Sequence, residues 1–465
     1  MLQLPAPAIV PPLDAGFRPA VLANRAFRDE VRASGGGVPL VFGLERGDGA
    51  VSRYETVAFP PGHPGAGANT RYAERLVKFL LYARGGWRLY VGGAPEIAAY
   101  LSEAYAPGGA RQFDARFMGE DVYQRPFTVV GCAADGVPPA NEGGRALGRH
   151  LDGCRIGFDL GASDLKVSAV VDGRAVFSDE IVWEPVEQAD PRYHYERITG
   201  ALKLARAHLP RLDAIGGSSA GVYVNNRPMV ASLFRGVPRD RYDEIRSMFL
   251  RVREEFGVPL EVINDGDVTA LAGAMSLGDN AVLGIALGSS EAAGYVDPAG
   301  SVTGWLNELA FAPIDYRADA PADEWSGDVG VGAVYLSQQC VFRLAPDVGI
   351  ALPDGDGVTK AEKLQHVQRA LEAGHDGARR IFETIGVYLG YALAHYADFY
   401  EVKHALVLGR VTTGRGGALI LEHARGVVAS EFPELACRMQ VQLPDEKSRR
   451  VGQSIAAASL PALCR

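Results

Sequence analysis

The stretch GFDLGASDLKV, Gly157–Val167, gives the first indication of the fold. An apolar strand ends at Asp159, and the small residues Gly161, Ala162 and Ser163 follow it. A carboxylate at a strand end can reach a magnesium ion through water, and small residues let backbone N–H groups approach a phosphate. The same composition is typical of an ordinary hairpin turn, so this stretch alone leaves both interpretations open.

A second stretch, VINDGDVTALAGAM, Val262–Met275, combines a buried strand with the start of a helix. It brings Asn264 and Asp265 to the junction between the two elements. A carboxylate held beside a helix N-terminus is well placed to accept a proton from a hydroxyl group. Asn and Asp are also preferred N-caps, and for this motif alone the capping interpretation is slightly favoured.

Two further turns are rich in small residues. LGIALGSSEAAGYVD, Leu283–Asp297, contains Ser289–Ser290 between two predicted strands, and these hydroxyls are candidates for binding phosphate. LVLGRVTTGRGGALI, Leu406–Ile420, places Gly409 and Gly414 between a strand and a helix, where they leave room for a planar ring or a ribose. A plain hairpin and an ordinary strand-to-helix loop would have the same compositions.

Taken in order, these motifs resemble those of the ROK family of sugar kinases and sugar-responsive repressors, within the larger actin, Hsp70 and hexokinase group. The resemblance covers about residues 153–460. It implies an α/β fold of the two-lobed actin-like ATPase (ribonuclease H-like) type, with an extra N-terminal α/β unit in this chain. The matching segments, in the family's order, are Asp159–Ser163, Gly216–Gly221, Asn264–Asp267, Gly288–Ser290, Glu308–Phe311 and Gly409–Gly417.

The resemblance also implies a reaction, the ATP-dependent phosphorylation of a sugar or sugar-derivative hydroxyl. Asp265 would be the general base, and Asp159 would orient Mg²⁺ through water. Such a reaction depends mostly on positioning and on stabilisation of charge. The implied substrate-binding residues are Asn264, Asp267 and Glu308. The implied phosphate- and nucleotide-binding residues are Gly161, Ser163, Lys166, Gly288, Ser289, Ser290, Gly409 and Gly414.

Several positions depart from the family pattern. Phe311 replaces the family's histidine, and the cysteine-rich zinc cluster is missing from Ala312–Gln339, where only Cys340 follows; we therefore expect no structural zinc. Glu291 would repel a triphosphate unless its side chain points away, and Asp267 adds negative charge. These departures keep an alternative open, a catalytically impaired sugar- or nucleotide-binding pseudokinase or regulatory protein.

Composition excludes several other classes. The net charge of −9 argues against a nucleic-acid or anionic membrane surface, and we expect neither partner, nor a DNA-binding repressor. Five widely spaced cysteines fit no disulfide framework, which indicates a reducing, cytoplasmic location. No apolar run approaches the roughly 18 residues of a membrane span. By resemblance alone, the protein would be a homodimer.

The predicted domains are residues 1–38 as an N-terminal arm, 39–150 as an additional small α/β unit, 151–275 as the first kinase lobe and 276–465 as the second. The additional unit could also be a degenerate copy of the first lobe. Trp183, Trp305 and Trp325 could each stack on a sugar ring, but packing in the core or at a domain interface is the favoured interpretation.

Overall fold

The structure is a computed structural model that describes residues 1–47, 49–142, 147–355, 357–444 and 446–463. The chain divides into two compact units, and each consists of three separate segments. Unit 1 contains Met1–Gly143, Ile285–Ala293 and Gly304–Leu443. Unit 2 contains Gly144–Gly284, Gly294–Thr303 and Pro444–Arg465.

The N-terminal part of unit 1 is a four-stranded sheet with helices. Its elements are α1 (Ala20–Ala33), β1 (Val38–Glu45), β2 (Val51–Ala58), α2 (Asn69–Arg84), β3 (Arg88–Gly92), α3 (Pro95–Ala104), α4 (Gln112–Arg116) and β4 (Thr128–Cys132). The strand order is β2-β1-β3-β4, with β1 antiparallel to both neighbours and β4 parallel to β3. The turn of the β1–β2 hairpin contains Gly47 and Gly49, and Gly49 adopts a φ of 75°.

Helix α1 lies in the segment 1–38 that the sequence predicted as an arm. Its buried face includes Val21, Phe27 and Val31, and Pro19 precedes its first residue. The sequence predicted an arm here because the segment is rich in proline, alanine and arginine and ends in Gly35–Gly37.

Unit 2 is built around a five-stranded sheet. Its first elements are β5 (Cys154–Leu160), β6 (Asp164–Val171), β7 (Arg174–Val182), α5 (Pro191–Arg206), β8 (Ala214–Ser219), β9 (Val222–Val224), β10 (Arg227–Val230), α6 (Tyr242–Arg246), α7 (Met248–Phe256), β11 (Leu260–Asn264) and α8 (Asp265–Leu277). The strand order is β11-β8-β5-β6-β7. Because β11, β8 and β5 are parallel, their carboxyl ends lie at one edge of the sheet.

The next elements form a second sheet with its helices. They are β12 (Val282–Leu287), β13 (Glu291–Val296), α9 (Gln338–Leu344), α10 (Lys360–Glu372), α11 (Asp376–Tyr396), β14 (His404–Leu408), α12 (Arg415–Glu431), α13 (Pro433–Ala436) and β15 (Gln440–Gln442). The strand order is β13-β12-β14-β15. Helices α10 and α11 follow each other with only three residues between them. Thr359 and Glu362 start α10 with a capping box.

The last helix, α14 (Glu446–Ala458), belongs to unit 2, although the long segment before it, Gly304–Leu443, belongs to unit 1. It crosses β5 and β8 where these strands carry Gly157 and Gly216. A Cβ atom on Gly157 would lie 2.0 Å from the carbonyl oxygen of Ser454, and one on Gly216 would lie 1.7 Å from that of Ala457. The sequence prediction placed this helix in the second lobe, residues 276–465. In the structure it belongs to unit 2, because the two glycines let its backbone pack closely on the strands of that unit.

The described part of the chain contains no helix that is both long enough and apolar enough to cross a lipid bilayer.

Candidate functional site

The predicted site residues of unit 2 lie at the carboxyl edge of its parallel strands. In the strand register Asp159 is opposite Ser218, and Ser219 is opposite Asn264. The Ser218 hydroxyl donates a hydrogen bond of 2.7 Å to Oδ1 of Asp159. Asp265 follows Asn264 directly as the first residue of α8. The sheet therefore brings the predicted magnesium-side acid and the predicted base to the same edge.

Asn264 is the N-cap of α8, which confirms the capping interpretation for this residue. Its Oδ1 accepts a 2.7 Å hydrogen bond from the N–H of Gly266, and its Nδ2 donates to the carbonyl of Gly221 at 2.8 Å. Both ends of the amide are thus bonded to the backbone. Asp265 Oδ1 also accepts from the Gly266 N–H at 3.0 Å, which orients the carboxylate at the start of the helix.

The carboxylates of Asp159 and Asp265 are half-buried and influence each other electrostatically. Burial, and secondly the negative charge of Asp159, raise the pKa of Asp265 to about 6. Burial also raises the pKa of Asp159, although the hydrogen bond from Ser218 and the charge of Lys166 act in the opposite direction. Within the described ranges, neither carboxylate forms an ion pair. The Asp265 carboxyl therefore changes charge near neutral pH.

The first predicted phosphate loop is a hairpin turn between β5 and β6. The Gly161 N–H donates to the carbonyl of Asp164 at 2.8 Å, which closes the turn. Trp183 donates its indole N–H to the Gly161 carbonyl at 2.8 Å and its backbone N–H to the Ser163 carbonyl at 3.2 Å. The Lys166 ammonium pairs with Asp164 at 2.7 Å. The Ser163 side chain is exposed.

Asp267 was predicted to bind substrate, but its carboxylate is buried and engaged in the fold. Its Oδ1 accepts a hydrogen bond of 3.0 Å from the backbone N–H of Tyr295. Gly294 allows this approach, since a Cβ atom there would lie 2.1 Å from the carbonyl group of Gly266. These contacts give Asp267 a structural role, that of fixing α8 to the segment around Tyr295.

In unit 1, two predicted nucleotide loops are neighbours. The turn Gly288–Ser290 follows β12, and its Gly288 carbonyl accepts a 2.9 Å hydrogen bond from the N–H of Gln338. Gly409 follows β14 with a φ of 102°, and a Cβ atom there would lie 2.5 Å from the carbonyl oxygen of Leu287. Glycine is therefore required where the second loop passes the first. Ser289 is exposed and Ser290 is half-buried.

Gly414 precedes α12 with a φ of 65°, and no side chain caps this helix. The N–H of Arg415 lies 3.3 Å from a carboxylate oxygen of Glu372.

Glu291 points away from the exposed side of the Gly288–Ser290 turn. Its side chain is buried, and Oε1 accepts a 2.9 Å hydrogen bond from the Tyr396 hydroxyl. Burial raises its pKa to about 8, so the protonated form predominates at pH 7. A neutral Glu291 would not repel a triphosphate, contrary to the expectation from the sequence.

Glu308, predicted to bind substrate, precedes a short 3₁₀-helix, Leu309–Phe311. It is half-buried, and its N–H donates to the carbonyl of Tyr82 at 2.9 Å. Phe311, which stands where the resembled family has histidine, is buried among aromatic rings.

Some residues at the unit 2 edge were not among the predicted site residues. Ser218 lies in the small-residue segment Gly216–Gly221, and this segment was the only sequence signal for it. Gln453 of α14 reaches the same place, with Nε2 3.5 Å from the Ser218 hydroxyl and 3.4 Å from that of Thr269. Nothing in the local sequence indicates that contact.

Within the described ranges, no group of three or more His, Cys, Asp or Glu side chains could hold a metal ion. Cys132, Cys154, Cys340 and Cys437 are free thiols, and Cys464 lies outside the described residues.

Comparison with known proteins agrees with this architecture. No family model matches the sequence, and no curated protein matches it. The ROK hexokinase of Thermus thermophilus superposes with a TM-score of 0.52 and 17% identity, over 66% of this chain and 97% of the hexokinase. A ROK family transcriptional regulator, a homolog of the E. coli MLC protein, gives a TM-score of 0.51 and 17% identity, over 67% of this chain and 78% of the regulator. The chain has the ROK fold.

This result confirms the predicted fold class, an actin-like ATPase fold. The ROK fold accounts for about two thirds of the chain, as expected from motifs within residues 153–460. A kinase and a regulator share this fold, so the function must be inferred from the site residues.

Proposed function

We propose that the protein transfers the terminal phosphate of ATP to a hydroxyl group of a sugar or sugar derivative. The observation that carries this proposal is Asp265, a half-buried carboxylate at the start of α8 with a pKa of about 6 beside Asp159. A base whose pKa lies just below the working pH is ionised and still able to accept a proton. The ROK fold, which a hexokinase shares, supports a carbohydrate acceptor.

In this proposal the Asp265 carboxylate takes the proton from the sugar hydroxyl as its oxygen bonds to the terminal phosphorus. The bond from that phosphorus to the bridging oxygen of ADP breaks, and ADP leaves with its electron pair. The protein mainly positions the two reactants for this in-line transfer. Glu308 would bind neighbouring hydroxyls of the acceptor.

The residues at the unit 2 edge are suited to a magnesium ion. Carboxylate oxygens are the ligands that Mg²⁺ prefers, and a nearby cation would relieve the repulsion between Asp159 and Asp265. Asp159 would hold the ion through water. When bound, Mg²⁺ neutralises charge on the transferred phosphate.

The proposed phosphate-binding residues are small, with the exception of Lys166. Lys166 would have to exchange its Asp164 partner for phosphate. Gly409 and Gly414 supply positive φ angles at the loops proposed for the adenosine. The remaining phosphate-binding residues of the proposal are Gly161, Ser163, Gly288, Ser289 and Ser290.

The test is Asp265→Asn, assayed for sugar-dependent ADP formation with ATP, Mg²⁺ and a panel of hexoses. We expect kcat to fall about 10²–10⁴-fold, because the proton acceptor is lost. The matched control is Asp179→Asn, an exposed carboxylate on β7, which should leave kcat unchanged. Unchanged turnover in Asp265→Asn with full turnover in the control would refute the proposal.

A second candidate is a binding or regulatory protein without turnover. It is favoured by the first loop, where the Gly161 N–H and the Lys166 ammonium are both bonded to Asp164. A regulator with the ROK fold supports the same candidate. Calorimetry with ATP·Mg²⁺ and the hexose panel, beside the turnover assay, separates the two. Binding without turnover favours the second candidate, and turnover excludes it.

A further inference from the structure

Trp325 is unusually exposed for a tryptophan, with 56% of its surface open to solvent, yet its backbone is held firmly. The buried carboxylate of Asp323 accepts hydrogen bonds from the N–H of Trp325 at 3.2 Å and the N–H of Ser326 at 2.7 Å. The Ser326 hydroxyl donates to the same oxygen at 2.8 Å, and the Gly327 N–H donates to the Asp323 carbonyl at 2.9 Å. The turn therefore presents the indole in a fixed position.

The far end of this turn is anchored as well. Asp328 forms ion pairs with Arg75 at 3.1 Å, Lys78 at 3.0 Å and Arg111 at 2.9 Å. A side chain presented between two such anchors loses little conformational freedom when it binds a ligand. Exposure together with rigidity is the usual condition of an aromatic contact residue.

Three phenylalanine rings support the buried part of the indole. The centroid distances from Trp325 are 5.8 Å to Phe113, 5.8 Å to Phe117 and 5.0 Å to Phe311, and the rings meet edge to face. This geometry is favourable for aromatic pairs. The remaining surface of the indole is available to another molecule.

Phe311 connects this tryptophan to the residue proposed to bind the acceptor. The Phe311 N–H donates to the carbonyl of Glu308 at 3.2 Å, so one turn of 3₁₀-helix separates the two residues. Glu308 is the N-cap of this helix, and Phe311 is its last residue. Phe311 thus links Glu308, through its backbone, to the indole of Trp325, through its ring. A carboxylate and a flat aromatic surface joined in this way suit a pyranose ring, which has hydroxyls at its edge and C–H groups on its faces.

We propose that Trp325 stacks against the C–H face of the sugar whose hydroxyls Glu308 binds, and that it selects pyranose acceptors. This inference rests on the proposed function for the role of Glu308. The other candidate tryptophans have different tasks. Trp183 is buried and clamps the first loop. The guanidinium of Arg84 covers the ring of Trp305 at 3.1 Å.

The experiment compares Trp325→Ala, Trp325→Phe and the control Trp305→Phe with the wild type. Glucose, mannose, N-acetylglucosamine and maltose serve as probes, in turnover assays and in titrations of tryptophan fluorescence without ATP. We expect the sugar KM to rise about tenfold in Trp325→Ala and about twofold in Trp325→Phe, in line with the strength of aromatic contacts. The KM for ATP and kcat should change less than twofold, and the control should behave as wild type.

The two proposals fail in different ways. If no sugar is phosphorylated, but sugar changes the fluorescence of the wild type and not of Trp325→Ala, the kinase proposal fails and the role of Trp325 stands. If sugar is phosphorylated and Trp325→Ala keeps the wild-type KM, the role of Trp325 is overturned and the kinase proposal stands. A fluorescence signal unaffected by every probe overturns the role of Trp325. So does a change of oligomeric state in Trp325→Ala at unchanged sugar affinity.

Discussion

Asp328 of unit 1 and the two carboxylates at the strand edge of unit 2 have opposite electrostatic environments. In unit 1, Asp328 is surrounded by Arg75, Lys78 and Arg111. Burial alone would raise the pKa of Asp328, but these three cations hold it well below its usual range. Every charge in this group has a partner of opposite sign, so the group can be buried at an acceptable cost.

At the unit 2 edge the carboxylates of Asp159 and Asp265 have no such partners in the described part of the chain, and both pKa values are raised. Two like charges held near each other reduce the stability of the fold. Such an arrangement is typical of a site used for binding or catalysis. Charge matching, rather than burial, therefore distinguishes Asp328 from the two edge carboxylates.

The largest effect on stability is expected for Asp328→Asn. Removing this carboxylate leaves three cations, two of them fully buried, short of a partner, which should lower the free energy of unfolding by about 3–5 kcal/mol at pH 7. Denaturant unfolding measures this loss. The control is Asp29→Asn, because Asp29 pairs with Arg32 on the surface and should contribute less than about 0.5 kcal/mol. Equal losses in both variants would show that the buried cluster is not special.

Glu291 tests the same comparison within unit 1, because it is buried without a cation. Its pKa is about 8 in the folded chain and about 4.5 when unfolded, so the folded chain binds more protons between these values. Stability must therefore fall as the pH rises from about 4.5 to 8. We expect Glu291→Gln to raise Tm at pH 9 by about 4 °C or more and to leave it nearly unchanged at pH 4.

The control for this measurement is Glu55→Gln, an exposed carboxylate on β2, which should leave the pH dependence of Tm as in the wild type. An identical fall of Tm with pH in Glu291→Gln and the wild type would mean that Glu291 is ionised in the fold.

The strand-edge arrangement could be predicted from sequence because it depends on local patterns. Asp159 and Asn264 each end an apolar strand, and parallel strands bring such ends together. The approach of α14 to Gly157 could not be predicted in this way, since it joins residues nearly 300 positions apart. Ser218 was missed for a similar reason, because its importance comes only from its hydrogen bond to Asp159.

The direction in which each side chain points could not be predicted from residue types either. Asp265 and Asp267 are both acids in the first turn of α8. Because they are two positions apart, their side chains point in directions that differ by about 200° around the helix axis. Asp265 therefore lies at the strand edge, whereas Asp267 faces the backbone at Tyr295. Glu291 likewise follows two serines of a predicted phosphate loop, and its side chain points into the core.

The smallest expected effect is a shift in the titration of Asp265, and it tests the coupling of the two edge carboxylates directly. Selective ¹³C labelling of aspartate carboxyls would follow the free chain by NMR. In the wild type the Asp265 carboxyl should titrate near pH 6. Asp159→Asn removes the neighbouring negative charge and should lower this midpoint by up to about one unit, whereas Asp179→Asn should not move it.

The kinetic counterpart is that kcat/KM of the wild type should fall about tenfold for each pH unit below 6, because the base must be ionised to accept a proton. A midpoint near 4 in the wild type, or one unmoved by Asp159→Asn, would mean that the edge carboxylates are as well compensated as Asp328 of unit 1. The electrostatic distinction between the two regions would then disappear, and with it the reason to assign the base to Asp265.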